Sequence, residues 1–102
     1  MTIIKCLSEK IEDELSDAQE YIDDAMRWKQ DDPEVANLFY HLSTEEMGHI
    51  EKLHAMVAKI IEEYRAQNGE PPKEMMTLYD YLHQKHMNHA MEIKVKQGMY
   101  KA

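Results

Sequence analysis

Apolar residues recur every third or fourth position over most of the chain, the spacing of a buried helix face. In the first segment the stripe reads Ile4, Leu7, Ile11, Glu14, Ala18, Tyr21, Ala25, Trp28. In the second it reads Val35, Phe39, Leu42, Glu46, His49, Leu53, Met56, Ile60. The periodicity predicts helices over about 3–30 and 33–67, and a third over about 73–99. Punctuation agrees with it. Asp32-Pro33-Glu34 supplies an N-cap, a first-turn proline and a charge that complements the positive helix end. Asn68-Gly69 is a stop signal, and Glu70-Pro71-Pro72 forbids continuation. The expected fold is all-α: an antiparallel hairpin followed by a third helix, in one domain over residues 1–102.

Three polar residues break the stripes. Glu14 interrupts the first, and Glu46 and His49, one turn apart, interrupt the second. A carboxylate taken into a core costs several kcal/mol, on the order of 3–5 when left unpaired, unless a partner or a metal compensates it. A short turn between antiparallel helices brings their middles together, so Glu14 is expected near Glu46 and His49. A Glu from one helix with a Glu-x-x-His from its neighbour is half of a carboxylate-bridged dinuclear site of a four-helix bundle.

The third segment carries two overlapping stripes, Met76, Tyr79, His83, His86, Ala90, Ile93, Gln97, Tyr100 and Met75, Leu78, Leu82, His86, His89, Ile93. His86 lies on both. His86, with His83, is expected to face the same interior as His49, as a ligand or as a hydrogen-bond partner of Glu14 or Glu46. The structural alternative, that both are packed interior histidines, carries equal weight. His41, His54 and His89 are expected at the surface or rim. The nine methionines, among them Met47, Met56, Met75, Met76 and Met91, read as adaptable core filler. Trp28, Tyr79 and Tyr81 read as core or interface aromatics, Cys6 as a small buried hydrophobe, and Glu12-Asp13 and Asp23-Asp24 as a solvated face.

Composition narrows the classes. A net charge of −8 on 102 residues argues against nucleic acid and gives no attraction to anionic membranes. The single cysteine excludes an intrachain disulfide and fits a reducing cytosol. No apolar run approaches a membrane span and the N-terminus lacks a signal-peptide core, so the expected location is cytoplasmic. The second helix, roughly 50 Å long at 1.5 Å per residue, has apolar positions (Val57, Ile60, Ile61, Tyr64) beyond the reach of the first. Self-association, as a dimer or larger, is the simplest cover.

Glu14, Tyr21, Ala25, Ala36, Phe39, Glu46 and His49 together resemble the ferritin-like superfamily, in particular its rubrerythrin and encapsulated-ferritin type. The resemblance covers about the first two-thirds of the chain. It implies that Glu14 and Glu46 are bridging or terminal carboxylate ligands, that His49 is a terminal ligand, and that Tyr21 sits behind them. The third helix departs from the pattern. It has Asp80-x-x-His83 and the reversed His89-x-x-Glu92 in place of a second Glu-x-x-His, and no Cys-x-x-Cys electron-transfer motif is present. Two completions follow. Two copies of the hairpin meeting across a two-fold axis give four carboxylates and two imidazoles, which balance two divalent ions and suit iron or manganese. An intrachain set with His83 and His86 suits zinc or a single iron. The leading expectation is a ferritin-like metal-binding protein of the ferroxidase type, with di-iron favoured over manganese or zinc. The competing expectations are a helical interaction module without metal and a mononuclear site using the third-helix histidines.

Overall fold

The computed structural model describes residues 2–102, and residue 1 lies outside the described residues. It consists of three helices, α1 (Thr2–Trp28), α2 (Pro33–Asn68) and α3 (Lys73–Lys101), with no strand among the described residues. Both breaks follow the local chemistry. The Asp32 side chain accepts a hydrogen bond from the Val35 amide at 3.2 Å, and Pro33 occupies the first turn, where its missing N–H is not needed. At the other end Gly69 adopts φ +77°, a region only glycine enters without strain, and its amide donates to the Arg65 carbonyl at 3.0 Å.

α1 and α2 are antiparallel. Ala18 faces Ser43, and moving forward along α1 moves back along α2, so that Tyr21 stacks on Phe39 with ring centroids 6.3 Å apart. Ala18, Ala25 and Ala36 are fully buried, and their small side chains let the two backbones approach. Leu15, Ile22 and Val57 fill the space around them, each contributing about 1.5–3 kcal/mol from burial. α3 runs parallel to α1. His86 meets Glu12, His89 meets Gln19 and Lys96 meets Asp23. Its buried residues are His86, Ala90, Ile93 and Tyr100. Contact is most extensive between α1 and α2 and least between α2 and α3. Ser43 joins all three helices. Its hydroxyl donates to the Ala18 carbonyl at 2.8 Å and accepts from the Gln97 amide at 2.9 Å.

The buried faces differ from the sequence stripes in phase. On α2 the core residues are Ala36, Ser43, Met47, Ile50, Val57 and Ile61, each one residue on from a position of the stripe that carries Glu46 and His49. On α1 Ile4, Ile11, Ala18 and Ala25 are buried as expected, but Ser8, Leu15 and Ile22 replace Leu7, Glu14 and Tyr21. One residue turns a helix by about 100°, so Glu14, Glu46 and His49 lie at the flank of the α1–α2 contact. Several residues expected in the interior are at the surface. Cys6 is exposed, as are Met56 and Met91, because the helices present these positions away from any neighbour; Tyr81 and Trp28, expected in the core or at an interface, lie outside the core.

The molecule is a rod of 56 × 20 × 17 Å with a radius of gyration of 16.4 Å. A compact domain of this length would have about 13 Å. The rod leaves Leu38, Leu78, Met91, Val95 and Met99 more than half exposed.

Candidate metal centre

The antiparallel register that sets Ser43 against Ala18 also sets Glu46 and His49, further along α2, against Glu14, one turn back on α1. His49 Nδ1 lies 3.6 Å from Glu14 Oε2 and 3.6 Å from Glu46 Oε2. One ligand atom from each of the three residues falls within 4.8 Å of the other two. The side chains open progressively to solvent: Glu46 is 17% exposed, Glu14 28% and His49 53%. The group is therefore a three-sided cup with its base under Glu46 and its mouth beside the imidazole.

Glu46 Oε2 is buried and makes no hydrogen bond, the one such side-chain atom among the described residues. The imidazole at 3.6 Å is beyond hydrogen-bond reach. A buried acceptor left in this state costs about 1–3 kcal/mol. The residues present fit a cation. They offer two carboxylates and one imidazole with ligand atoms within 4.8 Å of one another, and the unsatisfied oxygen lies 3.6 Å from the imidazole nitrogen. Carboxylates with one imidazole are donors that divalent transition metals take.

α3 takes no part in this cup. Its partners on α1 are Glu12, Gln19 and Asp23, and Glu12 is two residues from Glu14, about 200° around the helix. His83 and His86, expected to face the same interior as His49, point elsewhere. His86 is buried, but its Nε2 contacts Glu12 Oε1 at 3.2 Å, so Glu12 is not simply part of a solvated face. His83 is half-buried and its Nδ1 lies 2.8 Å from Nε2 of His54. Neither histidine belongs with Glu14, Glu46 and His49. Tyr21 lies two turns along α1 from Glu14 and stacks on Phe39.

His54, expected at the surface or rim, is half-buried and stacks on His83 with centroids 4.5 Å apart. Burial, and then the neighbouring imidazoles of His83 and His86, hold its pKa below the usual histidine range. The signal that would have found it is a second Glu-x-x-His in α2, Glu51-Lys52-Leu53-His54. No known protein family, curated protein or solved structure matches this chain.

Proposed function

We propose that this chain is a ferritin-like metal-binding protein whose Glu14, Glu46 and His49 hold iron, with two chains placing their cups together to form a di-iron site of the ferroxidase type. The observation that carries the reading is the buried, unbonded oxygen of Glu46, 3.6 Å from His49 Nδ1, in a residue whose ligand atom groups with one each of Glu14 and His49. A cation supplies the missing partner to that oxygen. Two carboxylates balance one divalent ion per chain, and two chains balance two. Iron held this way supplies one-electron chemistry with an oxidant such as dioxygen. The chain's own residues have simpler roles. Glu14 and Glu46 neutralise the ion, His49 sets one open edge, and the half-exposed mouth leaves room for oxidant or for the second chain.

The rod shape and the apolar residues left at the surface support self-association. No helix among the described residues is long and apolar enough to cross a membrane.

One observation favours a second reading, a helical interaction module without metal. His49 Nδ1 lies 3.6 Å from a carboxylate oxygen of both Glu14 and Glu46, so the three side chains already sit together without an ion. The two readings separate by iron titration under anaerobic conditions. The metal reading expects about one ferrous ion per chain, lost in Glu46→Ala with helicity retained, and a dimer or larger by light scattering. Equal iron uptake by Glu46→Ala, or none by the wild-type chain, would overturn it.

A further inference from the structure

His83 of α3, which does not reach the iron cup, meets His54 of α2 on the α2–α3 seam. His54 Nε2 and His83 Nδ1 lie 2.8 Å apart, one from each helix, with both rings half-buried. Tyr79 stacks against His83 with centroids 5.8 Å apart and planes 20° apart, which fixes that ring. In the hydrogen-bonded pair one N–H donates to the lone pair of the other ring, so an ion taking both nitrogens requires the donor ring to carry its proton on its other nitrogen instead. Zinc–imidazole bonds of about 2.0–2.1 Å in tetrahedral geometry separate the two nitrogens by about 3.4 Å. The pair reaches that spacing if the nitrogens part by roughly half an ångström and the rings tilt to point at a common ion.

Each histidine also has an acid three residues before it on its own helix, Glu51 before His54 and Asp80 before His83. Both acids are exposed. Glu51 borders the same hollow as His54, along with Met87 and Met91 of α3. Three residues make nearly one helical turn, so each acid stands on the same side of its helix as its histidine.

We propose that His54 and His83 form a second metal site, a two-histidine zinc clip between α2 and α3, with its open positions filled by water. Two imidazoles with water suit zinc and its borderline neighbours copper and nickel, whereas the cup on the other flank is oxygen-rich. The clip spans the seam with the least contact between helices, so an ion there adds its binding energy where packing adds least. It shares no residue with the iron cup and stands or falls separately.

The test uses the full chain stripped of metal, with Glu46→Ala as background so that the cup does not contribute. Calorimetric titration with zinc chloride should give one zinc per chain in Glu46→Ala and none in Glu46→Ala/His83→Gln. Circular dichroism of the double variant shows whether helicity is retained. Independently of any variant in the seam, zinc should shift the ring resonances of His54 and His83 in the Glu46→Ala spectrum and leave those of His41 and His89 in place. Zinc binding unchanged by His83→Gln, no binding in Glu46→Ala, or shifts confined to other histidines would overturn the proposal.

Discussion

Replacing Glu46 by leucine should make the metal-free protein more stable and the metal-loaded protein less so. Glu46 holds a buried oxygen without a hydrogen bond, a state that costs about 1–3 kcal/mol. Its side chain retains 17% exposure, which relieves part of that cost, so the low end is appropriate. Leucine removes the unbonded oxygen and places a branched apolar group beside the half-buried Leu42 and Leu53 of the same flank. The net gain without metal is about 1 kcal/mol. For a domain of this length that corresponds to a rise in Tm of about 4–8 °C. The assay is thermal unfolding by far-UV circular dichroism at one fixed chain concentration, first with chelator and then with excess ferrous or manganous ion under anaerobic conditions. The wild-type chain should gain stability with metal, and Glu46→Leu should not respond to it. If Glu46→Leu melts lower than wild type in chelator, the Glu46 oxygen already has a partner in the neighbouring His49 ring, and the argument from an orphaned acceptor fails.

Two further outcomes follow from the interior. Ser43→Ala should lower stability by about 1–2 kcal/mol, because it leaves the Gln97 amide without its acceptor and opens a small void where three helices meet. A denaturant midpoint equal to wild type, at an unchanged slope, would refute that role. The pKa of His54 is lowered in the folded state from an unperturbed 6.5, so the unfolded chain binds the proton more readily. In chelator its contribution is neutral well above pH 6.5, and stability is lost as pH falls through 6.5 towards the folded value. His83→Ala removes one cause of the shift, so the NMR titration of His54 should move up towards 6.5, and a wild-type titration already at 6.5 would contradict it.

The three helices and their breaks were legible because they rest on local chemistry: the Asp32 cap, Pro33, Gly69 and the following prolines. The approach of Glu14, Glu46 and His49 was legible because an antiparallel hairpin with a short turn leaves little freedom in register. The phase of the buried face was not. α2 is apolar over a wide arc, with Ala36, Met47, Ile50 and Val57 beside Phe39, Leu42, Leu53 and Ile60, and spacing alone does not say which side meets α1. The Ala18–Ser43 contact and the buried Ala36 decide it, and those small residues carry weak hydropathy. α3 was hardest to read. Its histidines fit two stripes, and their partners Glu12 and His54 looked like surface residues until a third helix was laid against them.

The unequal packing of the helices also bears on how the molecule breathes. α3 is held by Ala90, Ile93 and Tyr100 and by a ladder of long polar side chains, and it is tethered through Gly69 and two prolines. Such an element detaches as its own cooperative unit while the better-packed pair stays closed. Amide hydrogen exchange should therefore fall into two tiers. The amides of Lys73–Lys101 would exchange through partial opening, and those around Leu15, Ile22 and Ile50 only when the whole chain unfolds. An ion or partner that grips the seam would merge the tiers into one, so exchange protection along α3 becomes a direct measure of what the protein is carrying.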